Sequence, residues 1–225
     1  MHSPPFTPSP PLRPVRGLAN LALGALAFDC LTGLAVAVID LREVAIINRV
    51  ISDPDSVSDA EIESSDTIYA ASGYVETAVF VLAGVAFLMW MFRARANADL
   101  LAPGEQRHRK PWLIFGWIVP IISLWYPKQI IDDIWGASRR IDQSPRSGVI
   151  IAWWAAWLLS SWVARVVGNL LIKADDLEGM AAAAKFDVVS MAMWMVAAAL
   201  AATVIVRTTN AQETRRLAPS AEPAY

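Results

Sequence analysis

Four apolar runs, each long enough to cross a bilayer, constrain this chain more than any other feature of its sequence. They cover Leu18 to Ile39, Thr67 to Phe92, Val149 to Ile172 and Asp187 to Val206. A helix rises about 1.5 Å per residue, so about 20 apolar residues cover the hydrocarbon of a membrane. Composition agrees. Of the 225 residues, 56% are hydrophobic and 18% charged, where soluble domains carry about 45–50% and about 25%. The expected fold is an all-α integral membrane protein with four transmembrane helices. One helical domain would occupy 18–206, after a disordered lead over 1–17 with six prolines and before a polar tail over 207–225.

A fifth apolar stretch, Pro111 to Pro127, is short and carries Pro120 in its middle. Proline removes a helical donor and clashes with the preceding turn. The stretch is therefore a kinked crossing or a hairpin that enters and leaves on one side. Lysine and arginine choose between them, because cytoplasmic loops carry their excess. With four crossings and both termini inside, 14 bases lie inside and 4 outside; a fifth crossing makes the count 9 and 9. Four crossings of the plasma membrane with cytoplasmic termini are expected. Cleavage of the first 37 residues as a signal peptide is not expected, because the apolar run is long and contains Asp29.

Trp90, Trp112, Trp153, Trp154 and Trp157 fall near the expected inner boundary, where indoles prefer to sit, whereas Trp162 and Trp194 lie deeper and read as packing. On the outer side, Ser58 and Glu61 have capping-box spacing, which predicts a helix from Asp59 straight into the second span. The first span should continue past Ile39 through Leu41, Val44, Ile47 and Ile51, giving a projecting antiparallel pair with its turn at Ser52 to Asp55. Asp53 and Asp55 lack the glycine and terminal glutamate of a calcium loop. On the inner side, 127–143 reads as an amphipathic helix at the cytoplasmic surface. Ile130, Ile131, Ile134, Trp135, Ser138 and Ile141 share its apolar face, and Lys128, Asp132, Asp133, Arg139 and Arg140 its polar one.

Several strings resemble the bacterial membrane family named domain of unknown function 4328. They are Phe87 to Asn97, with Trp90, Arg93 and Asn97; Gly116-Trp117-Ile118-Val119-Pro120, followed by Leu124 and Pro127; Asp133 to Ser138, with Trp135; Trp153 to Trp157; and Val206-Arg207 with Gln212. The resemblance covers about 18–216. Ser123 departs from it, standing where relatives carry asparagine. The resemblance implies a multi-spanning membrane protein and no activity.

Three ionisable residues lie within the spans: Asp29, Glu76 and Arg165. Such residues are costly in a bilayer and form a functional hypothesis by default. Counted from the expected outer ends, they lie about 10–15 Å deep, so opposite topologies bring them to one level. Ser161, Arg165 and Asn169 form one polar row, and Tyr69, Ser72, Gly73 and Glu76 another; both should face the bundle interior. An Arg165–Glu76 ion pair would fix helix register. A proton-sharing site with Asp29 would instead serve transport or sensing.

The remaining function classes are narrow. Cys30, His2 and His108 make no cluster for zinc, haem or iron–sulfur, so no metal or cofactor is expected. A net charge of -2 invites no nucleic acid. Ser160 and Ser190 have no histidine near them, and no enzymatic activity is expected. The leading expectation is a non-enzymatic interaction, sensor or lipid-contacting module. Its basic, Trp-rich inner face would meet the bilayer, anionic headgroups or a cytoplasmic protein. The alternative is a small transporter or ion pathway built on Asp29, Glu76 and Arg165. A weaker third reading is a lipid-modifying enzyme using Asp132 and Asp133. Small-residue spacings such as Gly33/Ala37 allow close helix packing but leave oligomeric state open.

Overall fold

The computed structural model describes residues 11–139, 144, 147–173 and 177–218. Among these it is entirely helical: α1 (Arg16–Ser52), α2 (Asp59–Leu101), α3 (Trp112–Ile118), α4 (Tyr126–Ser138), α5 (Gly148–Lys173) and α6 (Leu177–Leu217), with short 3-10 turns at Pro54–Ser56 and Ile122–Leu124. Helices α1, α2, α5 and α6 each contain a stretch long and apolar enough to cross a membrane. No proline interrupts any of them.

Three of the four outrun the bilayer. At 37, 43 and 41 residues, α1, α2 and α6 are about 55–65 Å long, roughly twice a hydrocarbon core of about 30 Å. The α1–α2 pair projects beyond the apolar zone as the capping signal predicts. Ser58 Oγ accepts from the Glu61 N–H at 3.3 Å, and Arg49 pairs with Glu61 at 2.9 Å. Helix α6 continues well past the expected end of its span at Val206, because Thr208, Thr209, Gln212 and Glu213 are buried against the rest of the molecule. These polar residues extend the buried face of Val204 and Ile205 at helical spacing, a periodicity that a search for apolar residues passes over.

Helix α1 packs between α2 and α6, and α6 between α1 and α5. The ring closes between α2 and α5 through side chains: Phe80 with Trp157 and Phe87 with Trp153. At Gly33, α1 and α6 come so close that a Cβ would land on Met191 Sδ. The outward faces are apolar, with Phe28, Leu31, Val38, Leu82, Leu159 and Val196 all exposed, as lipid contact requires. Trp162, expected as packing, is on that exposed surface.

One end of the bundle collects residues 13–16, the last turns of α2, helices α3 and α4, the start of α5 and the last turns of α6. At seven residues, α3 is about 10 Å long. The chain turns at Ile121, whose φ is 70°. Helix α4 then folds back against α3, with Tyr126 Cβ 3.3 Å from where a Gly116 Cβ would stand. Helices α3 and α4 therefore pack against each other across the turn at Ile121.

Helix α4 buries the expected face, Ile130, Ile131, Ile134, Trp135 and Ser138. It does so against α2, α5 and α6, so this face meets protein where a surface helix would meet lipid. Arg140 and Ile141 lie outside the described residues. Pro127 fits the first turn of α4, where a missing N–H costs nothing.

Candidate functional site

Two regions hold the sequence-predicted residues. The first is the α4 end of the bundle, where the family-like strings meet. Asn97 on α2 donates to the Arg13 carbonyl at 2.9 Å and accepts from the Arg13 N–H at 3.0 Å. It also donates to Gln212 Oε1 at 3.1 Å. Gln212 in turn donates to the Ala94 carbonyl at 2.9 Å and to Ser138 Oγ at 2.8 Å. Glu213 accepts from the Val15 and Arg16 N–H groups at 2.8 and 3.1 Å, which serves the otherwise orphaned start of α1. Burial alone would raise the Glu213 pKa; these two donors and Arg216 at 2.7 Å outweigh it and hold the carboxyl below its ordinary range. Trp90 donates to Thr209 at 3.0 Å, and Arg93 to the Pro14 carbonyl at 3.0 Å.

This network changes two expectations. Residues 13–16 are hydrogen-bonded into the bundle and are not part of a disordered lead; residues 1–10 lie outside the described residues. Of the tryptophans expected as an interfacial belt, three are core, and Trp112 and Trp157 are partly buried against it. Trp90, Trp153 and Trp154 are buried, and Trp117 sits edge-on to Trp154 and Trp157 at 6.1 and 5.8 Å. The longer α2 and α6 carry packed protein past the apolar zone, so indoles at that level find side chains in place of headgroups. Asp133 accepts from Arg107 Nε at 2.7 Å, and Trp135 donates to the Ser144 carbonyl at 3.3 Å. Pro120 is exposed in the hairpin turn. Asp132 pairs with Lys128 at 2.6 Å, so the two neighbouring aspartates are already engaged.

The second region lies in the middle of the bundle. A cavity of about 310 Å³ is lined from all four long helices. Asp29 on α1, Glu76 on α2 and Asp187 on α6 reach it, with Ser160 and Ser161 from α5 and Ser190 from α6. Asp29, 3% exposed, accepts from Trp194 Nε1 at 2.6 Å. Ser160 Oγ is turned back to the Trp157 carbonyl at 3.0 Å. Ser190 is 7% exposed and its hydroxyl has no hydrogen-bond partner among the described residues. Among the described residues, the lining contains no lysine, arginine or histidine.

The predicted charge group thus changes one member. Asp29 and Glu76 meet, but Arg165 is exposed on α5 and outside the cavity lining. Helix α5 turns Trp157, Ser160, Ser161 and Ala164 inward; Arg165 is one position on, about 100° around the helix. Asn169 is also exposed, so of that polar row only Ser161 reaches the cavity. Asp187 takes the third place. Its position at the expected boundary of a span placed it with a loop, yet Asp187, Ser190, Met191 and Trp194 recur at one-face helical spacing and could have revealed it.

Further carboxylates lead away from the cavity toward the α1–α2 turn. Asp40 is buried and within electrostatic reach of Asp187, Glu76 and Glu43. Glu43 is buried and accepts from Ser65 Oγ. Tyr69 is within reach of the same four acids. Among the described residues, no three His, Cys, Asp or Glu side chains gather in a way that could hold a metal ion.

A second cavity of about 290 Å³ adjoins the first, and Phe80, Trp157 and Trp194 line both. Its other walls are apolar, including Leu26, Phe87, Trp117 and Ala198.

Among families of known sequence, the one described as Domain of unknown function (DUF4328) matches residues 53–210. The match begins after α1, so it takes in Glu76 and Asp187 but not Asp29. No curated protein and no solved structure matches the chain.

Proposed function

This chain belongs to the family described as domain of unknown function 4328, and on that footing we propose that it binds and moves a cation across the plasma membrane. The site is the cavity of Asp29, Glu76 and Asp187. One observation carries the proposal: carboxylates from three helices share one chamber at mid-bundle whose lining, among the described residues, holds no base. Each charged side chain at membrane depth costs about 2.5–3.5 kcal/mol or more. A register-fixing pair would need one acid and one base, so three acids without a base exceed what folding requires. The line through Asp40 to Glu43 supplies a polar route from the α1–α2 end. No bond-making chemistry is involved, and the protein is not an enzyme on this reading.

Both termini belong in the cytoplasm, with the α4 end inward. What supports this is the gathering there of Arg13, Arg16, Arg93, Arg107, Lys128 and Arg215, in the pattern of an inner face. The 111–127 hairpin then enters and leaves on that side, sheltered by protein as non-crossing backbone must be.

Purified protein in liposomes tests the proposal. Native protein is expected to raise proton or cation flux above protein-free vesicles, and Glu76→Gln to lower it about tenfold, as loss of one charge from a desolvated site requires. Equal flux from the two sinks the proposal.

A second reading keeps the basic end as a contact for anionic headgroups or a cytoplasmic partner, favoured by the exposure of Arg107, Arg109 and Lys110. Native mass spectrometry decides its lipid half: equal retention of neutral and anionic lipids removes it.

A further inference from the structure

Resting on the reading of the acidic cavity as a cation site, we infer that its ligand is an organic cation with an apolar, aromatic-sized substituent. The charged head sits among Asp29, Glu76 and Asp187, and the substituent passes the Phe80–Trp157–Trp194 wall into the adjoining apolar cavity.

Four observations lead there. The acids face a chamber of about 310 Å³ and, among the described residues, do not converge into a metal-holding group. Calcium or magnesium needs oxygens within about 2.0–2.6 Å on several sides, whereas a bulky, diffuse positive charge needs negative walls at longer range. Ser190, 7% exposed, lines the chamber, and its hydroxyl has no hydrogen-bond partner among the described residues. A hydroxyl on the chamber wall that no protein group engages is free to bond a guest or its water.

The wall is the third observation. Phe80 and Trp194 lie edge to face at 5.3 Å, as do Trp157 and Trp194 at 5.2 Å, while Phe80 and Trp157 are near-parallel at 6.4 Å. Aromatic rings beside carboxylates are how proteins hold quaternary ammonium groups, because the ring faces are negative and require no dehydration of a small ion. Trp194 also donates to Asp29, which fixes the indole and the carboxylate as one unit. Finally, the same three rings line the apolar cavity of about 290 Å³. A small inorganic cation or a proton has no use for that space, whereas a ligand with a head and a hydrophobic group fills both parts.

The experiment uses the full chain in phosphatidylcholine nanodiscs, with radiolabelled benzyltrimethylammonium as probe and empty nanodiscs as blank. Saturable binding is expected. Tetramethylammonium should displace the probe at about tenfold higher concentration, since it leaves the apolar cavity empty, and the neutral carbon isostere neopentylbenzene should fail to displace it. Glu76→Gln should weaken the probe about tenfold. Gly84→Leu, placed where an added Cβ meets nothing within 4 Å, should erase the preference for the aryl cation over tetramethylammonium.

Displacement by neopentylbenzene as readily as by the cations would overturn the inference and make the pair of cavities a slot for lipid tails. No saturable binding, with Glu76-dependent proton flux intact, would overturn it too and leave a proton pathway. Loss of both binding and flux would remove the cation reading itself. The isostere comparison needs only native protein, so it decides even if a variant fails to fold.

Discussion

At the α4 end, Asn97, Gln212, Ser138 and Glu213 are buried and every one is hydrogen-bonded, several of them twice or more. Eighteen positions back along α6 from Gln212, about 27 Å at the rise of a helix, Trp194 opens onto a chamber where Glu76, Asp187 and Ser190 have no hydrogen-bond partner among the described residues. Both regions sit in the same bundle and are built from the same helices. A satisfied buried network rigidifies a fold, while an unsatisfied one is a cost that folding alone gives no reason to keep. The first region is therefore the clamp that sets the bundle, and the second is the site that the proposed cation would occupy.

The largest effect should come from breaking the clamp. Gln212→Leu leaves the Asn97 amide, the Ala94 carbonyl and the Ser138 hydroxyl short of a partner. At roughly 0.5–1.5 kcal/mol for each of the three hydrogen bonds lost, the loss should be about 3 kcal/mol. Thermal unfolding in detergent should show a fall of about 6–12 °C. A loss below about 1 kcal/mol would mean the network is not what holds α2, α4 and α6 together.

A smaller effect separates the regions by pH. The Glu213 carboxyl is held below its ordinary range when folded. Its contribution is therefore full above the unfolded pKa of about 4.3 and is lost as pH falls through the lower folded value. Native protein should lose stability across that acidic window, and Glu213→Gln should be less stable at neutral pH with a flatter profile. Parallel pH profiles for the two proteins would assign the acid response elsewhere.

The smallest expected effect is in the cavity. Asp187→Asn removes a half-buried charge that has no base to pair with among the described residues. Stability should change by less than about 1 kcal/mol or rise, because relieving desolvation offsets any lost contact. A large drop in melting temperature would show that Asp187 has a structural partner and would erase the contrast between the two regions.

Much of the architecture was readable without coordinates. Apolar run length identified the four long helices, because hydrocarbon thickness sets a minimum that few other sequences meet. Ser58 and Glu61 marked the start of α2, and period-3.6 spacing chose the buried face of α4 before its neighbours were known. These are local signals. The clamp was less legible: Thr208 and Gln212 look like a solvated tail until α2 and α4 are laid beside them. Trp90 and Trp153 carried the right weight for the wrong reason, since an indole at an interface and an indole in a core look alike in sequence.

The sequence by itself determined that this chain is a bundle of membrane-length helices, which end gathers its bases, and that Asp29 and Glu76 lie at membrane depth. Only the tertiary structure decided their company. Composition fixes how deep a residue lies along its helix, but its direction around the axis follows from how the four helices pack. One residue step turns a side chain by about 100°. That step puts Ala164 in the cavity and Arg165 outside it, and the packing of α6 against α1 brings in Asp187. An ion pair expected from depth alone thereby becomes a chamber of acids.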